Sequence, residues 1–347
     1  MKKGFKILLA LALVFVLCAG GAAFYLYSEI SGGGVATDAE IEVTVQQGSS
    51  TAMVANALKE KDVIGNTLVF RLYSRLKGFD GTYQYGTHIV QDGMGYDQLM
   101  KILSTPVDNR PTANVTVPEG FTVPQIAEAL ENAGVCTAAD FINVLETQTF
   151  DLEIERHIDA EKDRILQYEG FLFPETYTFY KNDDPARVAR VMLTELDNKI
   201  TPEMYARMDK LGYTLDEVIT LASVIQRESY TKESMTMVSS VFHNRLNSDG
   251  YMPKLESDVT ILFLDTYDDY GIKYTSKQAD SYNTYIVNGL PEGPVACPGL
   301  DCINAALYPD DSDYYFFVTD GDKNYYYSET FAQHLIYVEK CRPTWKK

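Results

Sequence analysis

Residues 214–228 read TLDEVITLASVIQRE, and this stretch decides the fold of the larger part of the chain. Thr214 and Glu217 match a capping box, in which each side chain satisfies a backbone N–H at the start of a helix. Apolar residues then recur at helical spacing along one stripe: Leu215, Val218, Ile219, Ala222 and Ile225. The pattern predicts a helix that begins after Thr214 and buries this stripe in a core.

Glu228 lies at the end of this helix, three residues after Ile225, and continues its apolar stripe. A carboxyl group there is partly removed from water and sits at the negative end of the helix dipole. Both effects disfavour ionisation and raise the pKa, as a general acid near neutral pH requires. The alternative is a solvated glutamate that pairs with Arg227 or Lys232 on the helix surface.

The composition excludes several functional classes. The 347 residues include 30 Lys and Arg against 49 Asp and Glu, for a formal net charge of −19. Such an acidic chain is unsuited to binding nucleic-acid phosphates and to polybasic docking on anionic lipid. Its histidines and cysteines lack zinc-ligand spacing. We therefore expect no nucleic acid, no metal and no cofactor.

The N-terminus predicts a membrane anchor. Residues 1–6 contain three lysines, and the apolar residues 7–28 are long enough to cross the hydrocarbon core. The lysines before this stretch and Glu29 after it predict a cytoplasmic tail over 1–6 and an exported body at the cell membrane. A cleaved signal peptide is the alternative, but the aromatic segment FYLY at 24–27 favours a retained anchor. Leu17 before Cys18 argues against a lipoprotein.

The exported part divides into a linker and two domains. Residues 29–40, which include SGGG, predict a flexible linker. Residues 41–106 predict a small β-α-α-β-α domain, with a strand over 41–45, helices around 53–58, over 66–76 and over 96–103, and a strand or hairpin over 82–85 and 88–90. A membrane-proximal spacer that binds no ligand is the alternative for this domain.

The second domain starts after the segment PVDNRP at 106–111. A strand over 114–117 is followed by predicted helices over 122–130, 137–147, 185–198 and 202–211. Tyrosine-rich residues 314–318 and 325–327 flank an Asp-Gly-Asp turn and predict a β-hairpin. The predicted fold class is α+β. Export permits disulfides, and the pairing of four exported cysteines stays open: Cys136, Cys297, Cys302 and Cys341.

The loops beyond the predicted helix carry aromatic and amide side chains suited to sugar rings. Sugars bind by stacking on apolar faces and by hydrogen bonds to their hydroxyls. The candidate substrate contacts are Asn244, Tyr282, Asn283 and Thr284. For each of them, a structural role in holding the loops is the alternative.

Six segments in this order resemble the YceG-like (MltG) family of membrane-anchored endolytic murein transglycosylases. They are EGFLFPETY at 169–177, LASVIQRE at 221–228, VFHNRL at 241–246, LESD at 255–258, YNTY at 282–285 and GLPEGP at 289–294. The resemblance runs from the anchor to about residue 339. It implies a LysM-like domain at 41–106, a YceG-like catalytic domain at 113–345, and Glu228 as the catalytic acid.

The resemblance also implies an activity. A lytic transglycosylase cleaves the MurNAc–GlcNAc bond of peptidoglycan strands and leaves 1,6-anhydro-MurNAc ends. The C6 hydroxyl of the sugar serves as nucleophile, so the second carboxylate of a hydrolase is not required. The family further implies termination of nascent strands, with penicillin-binding proteins and the elongation or division machinery as partners. Glu175, in the first motif, is a candidate substrate contact or a loop-organising acid.

One position departs from the family pattern. Relatives commonly carry an acid two residues before the catalytic glutamate, where this chain has Gln226. This departure makes a non-catalytic peptidoglycan-binding scaffold one alternative function. A lysozyme-type muramidase, with Asp258 or Glu256 as second carboxylate, is another. The products separate them, because hydrolysis leaves a reducing muramic acid and no anhydro sugar.

Overall fold

The computed structural model describes residues 2–32, 39–108 and 110–345, and the chain divides into two compact units at Arg110 and Pro111. Met1 of the predicted tail, residues 33–38 of the predicted linker and Asn109 at the predicted boundary lie outside the described residues. The first unit contains α1 (Lys2–Ser31), β1 (Glu40–Val45), α2 (Thr51–Glu60), α3 (Thr67–Lys77), β2 (Gly86–Gln91) and α4 (Tyr96–Ser104).

The apolar helix α1 matches the stretch predicted as an anchor. Its segment Leu13–Ser31 has a mean hydropathy of 1.7 and none of it is buried. The helix continues past Glu29, so the first residues of the predicted linker are helical. The Glu29 carboxylate explains this, because its Oε1 accepts hydrogen bonds of 2.6 Å from the backbone N–H of Asn66 and from the Tyr96 hydroxyl. These bonds join the end of α1 to the rest of its unit.

The first unit has the predicted element order. Strands β1 and β2 pair in antiparallel register, with Val43 opposite His88, and pack on α2 and α4. Residues 82–85, predicted as a strand or hairpin, are not a strand. The Gln84 backbone N–H donates to the Leu103 carbonyl at 2.8 Å, and the Tyr83 hydroxyl contacts the Ser74 hydroxyl at 2.7 Å. The segment is therefore bound to α3 and α4 instead of the sheet.

The second unit is mainly helical, with two short antiparallel strand pairs: Thr112–Thr116 with Thr176–Tyr180, and Phe316–Thr319 with Tyr325–Ser328. The predicted helices and the hairpin are confirmed within a few residues. Short 3₁₀ helices cover Glu153–His157 and Arg342–Thr344. The regular elements are β3 (Thr112–Thr116), α5 (Val123–Asn132), α6 (Ala138–Thr147), β4 (Thr176–Tyr180), α7 (Pro185–Lys199), α8 (Pro202–Leu211), α9 (Leu215–Glu228), α10 (Lys232–Leu246), α11 (Val259–Asp269), α12 (Ser276–Tyr282), α13 (Leu300–Leu307), β5 (Phe316–Thr319), β6 (Tyr325–Ser328) and α14 (Phe331–Cys341).

Helix α9 runs through the core of the second unit. The predicted capping box is confirmed, since the Thr214 backbone N–H donates to Glu217 Oε2 at 2.8 Å and the Glu217 N–H donates to Thr214 Oγ1 at 3.2 Å. Burial goes beyond the predicted stripe: Leu221 and Val224 are also buried, because α9 packs against α8, α10, α11 and α13. A helix enclosed in this way holds its last residue in a fixed place.

An ion pair secures the first turn of α9. Arg164 Nη2 lies 2.5 Å from both carboxylate oxygens of Asp216, and Lys162 Nζ lies 3.1 Å from Oδ2. The side chains of Arg164 and Asp216 are 0% and 3% exposed. Arg164 Nε also donates to the carbonyl of Glu292 at 3.3 Å. The pair thus ties the start of α9 to the GLPEGP loop.

Glu169, the first residue of the EGFLFPETY motif, is a second buried polar centre. Its Oε2 accepts hydrogen bonds from the Val123 backbone N–H at 2.9 Å and from the Tyr267 hydroxyl at 2.5 Å. Burial raises the pKa of Glu169 to about 7. The motif therefore links α5 to α11. Cys297, 3.9 Å from Glu169 Oε1, is one of five cysteines that are all free thiols.

Candidate active site

Glu228 is the last residue of α9 and is partly buried. Its Oε1 accepts a hydrogen bond of 2.6 Å from the Ser257 hydroxyl. The surface ion pair considered as an alternative is not formed: Arg227 donates to the Gly120 carbonyl, and Lys232 pairs with Asp301. The carboxyl group is thus held by a neutral donor, at the end of the apolar helix where the sequence places it.

A cavity of about 440 Å³ opens at Glu228. Its polar wall comes from the loop before α11 and from the YNTY motif: Glu256, Ser257, Asp258 and Tyr285. Its apolar wall comes from α10, the β5 strand, α14 and Trp345, and includes Phe242, Phe316, Phe331 and Val338. One polar and one apolar wall suit a sugar ring, which has hydroxyl groups at its edge and C–H groups on its faces.

The loop that carries Ser257 is firmly held. The Ser257 backbone N–H donates to Thr284 Oγ1 at 3.0 Å, and the Thr260 and Thr284 hydroxyls lie 2.9 Å apart. Arg245 Nη1 donates to Glu256 Oε2 at 2.9 Å and to the carbonyl of Lys254 at 2.8 Å. Glu256 has a positive φ of 51°, which is uncommon for a residue with a side chain. Such a conformation persists only where its surroundings impose it.

The surroundings of Glu228 favour its protonated form. Burial raises the pKa of Glu228, the hydrogen bond from Ser257 lowers it by less, and the charge of Asp258 raises it further. Asp258 Oδ1 accepts a hydrogen bond of 2.8 Å from the Tyr285 hydroxyl. The cavity therefore combines a carboxyl group with a raised pKa and a second carboxylate held by a phenol.

The C-terminal hairpin also contacts Glu228. The Tyr325 hydroxyl, on β6, donates to the Glu228 backbone carbonyl at 2.6 Å. This carbonyl belongs to the last turn of α9, where intrahelical donors are missing. Tyr325 supplies the missing donor, so the hairpin both lines the cavity and caps the helix that carries the carboxyl group.

The five residues predicted as sugar contacts all lie outside the cavity wall. Asn244 Nδ2 donates to the carbonyls of Ser312 and Tyr314 at 2.6 and 2.9 Å. Tyr282 is 1% exposed and packs on Phe263 with ring centroids 4.8 Å apart. The structure thus gives both side chains roles in holding the polypeptide around the cavity.

The other three candidates have comparable structural partners. Asn283 Oδ1 accepts from the Tyr285 backbone N–H at 3.0 Å, and Thr284 is fully buried under Ser257. Glu175 Oε2 lies 3.8 Å from Lys199 Nζ, and its Oε1 accepts from the Thr176 N–H at 3.0 Å. Each of these contacts organises a loop, which is the alternative that the sequence leaves open for them.

Gln226 points away from the cavity. Its Oε1 accepts the backbone N–H of Gly299 at 2.9 Å, at the N-cap of α13. A carboxylate at this position could accept the same hydrogen bond. The departure from the family pattern therefore lies at the contact between α9 and α13, and Gln226 is not part of the wall of the Glu228 cavity.

Sequence reasoning did not single out Ser257, Tyr285 or Tyr325. Ser257 and Tyr285 belong to the LESD and YNTY motifs, but motif spacing does not tell which residue of a loop faces a cavity. Tyr325 is 97 residues from Glu228 in the chain. The sequence predicts that Tyr325 belongs to a hairpin, but it does not indicate that this hairpin contacts the end of α9.

Comparison with known proteins agrees with this architecture. A model of the YceG-like family matches residues 43–340. The chain is 28% identical over 332 residues to an endolytic murein transglycosylase of Bacillus subtilis, covering 93% of this chain and 91% of that protein. It is 27% identical over 350 residues to one of Streptococcus pneumoniae and spans 63% of that protein's length.

A 2.6 Å crystal structure of a YceG-like protein from Listeria monocytogenes has the same fold. It superimposes with a TM-score of 0.53 at 26% identity, over 87% of this chain and 100% of that one. The resemblance inferred from the six sequence motifs is therefore confirmed. Because the family model matches most residues of this chain, the chain belongs to the YceG-like family.

Proposed function

We propose that the protein is a membrane-anchored endolytic peptidoglycan lytic transglycosylase with Glu228 as its catalytic acid and base. The observation that carries the proposal is a carboxyl group with a raised pKa at the wall of a sugar-sized cavity, held by Ser257. The names of its relatives in Bacillus subtilis and Streptococcus pneumoniae support the same enzyme class, a lyase.

The reaction needs one carboxyl group acting twice. Protonated Glu228 donates its proton to the oxygen between MurNAc and GlcNAc, and the glycosidic bond breaks. The carboxylate then accepts the proton of the MurNAc C6 hydroxyl, which attacks C1 and closes the 1,6-anhydro ring. Ser257 holds Oε1 throughout, so the other carboxylate oxygen is available for the proton that moves. General acid–base catalysis of this kind contributes about 10²- to 10⁴-fold to a rate.

The anchor sets the location of this chemistry. The three lysines before the apolar stretch of α1 favour a cytoplasmic N-terminus, a single membrane crossing and an extracytoplasmic catalytic body. Peptidoglycan strands are then the polymer within reach of Glu228. The LysM-like nature of residues 41–106 and the termination of nascent strands remain part of this proposal, as do contacts with penicillin-binding proteins and the elongation or division machinery.

A lysozyme-type muramidase is a second candidate, because Asp258 shares the cavity with Glu228. A hydrolase would use this carboxylate as base or nucleophile. The Tyr285 hydroxyl donates a hydrogen bond to Asp258 Oδ1, so one of the two oxygens that a base or nucleophile would use already has a partner. The lytic reaction does not require Asp258 to react, and we therefore place it first.

Product analysis distinguishes the candidate functions. We expect the detergent-solubilised full chain, incubated with uncrosslinked glycan strands, to yield shortened strands with 1,6-anhydro-MurNAc ends by mass spectrometry. Reducing MurNAc ends that take up ¹⁸O from labelled water would identify a muramidase. Strands that are bound but keep their length would identify a non-catalytic scaffold.

Two neighbours of Glu228 are expected to shift the pH profile in opposite directions. The reaction needs protonated Glu228, so the rate falls as the pH rises through its pKa. Ser257→Ala removes a donor that stabilises the carboxylate, which raises this pKa and moves the alkaline limb of kcat to higher pH. Asp258→Asn removes a negative charge, which lowers the pKa and moves the limb to lower pH.

The same experiment separates positioning from folding. We expect Ser257→Ala to lower the maximal rate about tenfold, since the carboxyl group loses its orientation, and Ser257→Thr to restore much of it. Rates are measured from pH 4 to 9 alongside thermal unfolding. Limbs that move in the same direction for Ser257→Ala and Asp258→Asn would contradict this assignment of roles.

A further inference from the structure

We propose that helix α3 lies on the outer surface of the membrane and binds its anionic phospholipid beside the anchor. This inference rests on the membrane anchor in the proposed function and is independent of the reaction. It concerns an apolar face of the small unit that has no role in the cavity.

Helix α3 has an exposed row of leucines. Leu68, Leu72 and Leu76 are 60%, 62% and 81% exposed, and residues four apart lie on the same face of a helix. The buried side chains of α3, Phe70 and Ser74, point to the opposite side. Soluble proteins expose leucines singly, whereas a row of three at helical spacing marks an interaction surface.

The charged residues of helix α3 itself have one sign. Helix α3 contains Arg71, Arg75 and Lys77 and no acidic residue, although the whole chain has a net charge of −19. Lys77 pairs with Asp97 of α4, at 3.2 Å, while Arg71 and Arg75 are exposed next to the leucines. Leucines flanked by basic residues are typical of helices that lie in the membrane interface. Helix α3 is therefore locally basic although the whole chain is acidic.

The anchor brings α3 to the membrane. Asn66 is the N-cap of α3, and its Oδ1 accepts the backbone N–H of Leu68 at 2.9 Å. The same residue donates from its backbone N–H to Glu29, and from Nδ2 to the Tyr25 hydroxyl at 3.4 Å. Tyr25 and Glu29 belong to the outer end of α1, so α3 begins where the anchor leaves the hydrocarbon core.

The dimensions fit a bilayer surface better than a protein partner. The 11 residues of α3 extend about 16 Å, and Leu72 lies about 9 Å along the helix from Asn66. A helix that lies in the interface buries its apolar face only about 5–10 Å deep, whatever its length along the surface. One face of so short a helix covers much less than the roughly 800 Å² per partner of a standard protein interface. A lipid surface needs no complementary shape, and the arginines can reach phosphate groups.

Fluorescence quenching tests this placement. The full-length chain with Leu72→Trp is reconstituted in nanodiscs of brominated phosphatidylcholine and phosphatidylglycerol, and the wild type provides the signal of its single tryptophan, Trp345. We expect the added tryptophan to emit at shorter wavelength and to be quenched at least about twofold more than Trp345, as a side chain in the acyl boundary would be. Arg71→Gln with Arg75→Gln, or discs without phosphatidylglycerol, should weaken the quenching.

The controls make each outcome decisive. Leu68→Gln with Leu76→Gln, in the Leu72→Trp chain, should abolish the quenching without loss of helix content. A tryptophan quenched by acrylamide but not by brominated lipid would place α3 in water and overturn the proposal. A tryptophan protected from both quenchers would show that α3 is covered by protein, and this result would also overturn the proposal. Extraction of membranes at alkaline pH tests the anchor separately. If the chain stays in the membrane pellet while the added tryptophan is in water, the anchor is supported and the membrane placement of α3 is refuted.

Discussion

Glu228→Gln is expected to lower the rate of glycan-strand cleavage by about 10²- to 10⁴-fold, or roughly 3–5 kcal/mol of transition-state stabilisation. The amide has the size of the carboxyl group, and its oxygen can still accept the hydrogen bond from Ser257. It cannot release a proton to the glycosidic oxygen. The variant should therefore bind strands normally, and the anhydro products should disappear from mass spectra.

The control for Glu228→Gln is Glu233→Gln, an exposed glutamate in the first turn of α10. It changes the charge of the protein by the same amount close by and should leave the rate unchanged. Thermal unfolding of Glu228→Gln should not fall below that of the wild type, because the substitution removes a partly buried ionisable group. A variant that unfolds normally and retains its rate would refute the role assigned to Glu228.

Asp216→Asn is expected to destabilise the second unit by about 3–5 kcal/mol, because it breaks a buried ion pair. The substitution leaves the fully buried guanidinium of Arg164 without its counter-ion. For a domain of this size, 3 kcal/mol corresponds to a fall in melting temperature of roughly 6–12 °C. Differential scanning calorimetry of the solubilised chain measures it.

The double variant Arg164→Leu with Asp216→Leu distinguishes the cost of one unpaired buried charge from the net contribution of the ion pair. Replacing both partners removes the two charges together, so it should cost less than either single substitution. Asp209→Asn, on the exposed side of α8, is the matched control and should shift the melting temperature by no more than about 1–2 °C. A single variant Asp216→Asn as stable as this control would show that the ion pair contributes nothing.

Local signals predicted the elements of this fold well. The capping box of Thr214 and Glu217 and the apolar periodicity that follows it give the start and the end of α9 correctly. Both depend on neighbours a few residues apart, which is the range that sequence patterns report. The strand proposed at 82–85 is wrong because Gln84 is bonded to Leu103, a contact that the local pattern does not contain.

The candidate site could be predicted only in part, because sequence patterns report local contacts and not distant ones. Glu228 follows from its position on one helix, whereas its partners come from distant segments. The prediction of Asn244 and Tyr282 as sugar contacts rests on residue type, which does not distinguish a side chain that faces a cavity from one that binds the backbone behind it. Gln226 is the converse case: the family pattern has an acid there, and the structure shows a side chain that contacts Gly299 outside the cavity.

The contact between Tyr325 and the end of α9 has a genetic consequence. Helix α9 is encoded well upstream of the hairpin, but the cavity wall formed by Phe316 and Phe331 and the hydrogen bond to the Glu228 carbonyl come from residues after 315. A frameshift or premature stop just before Phe316 would leave Glu228 translated. The cavity beside it would lose the wall formed by Phe316 and Phe331 and would be open on that side. Late truncations of this gene should therefore behave as null alleles.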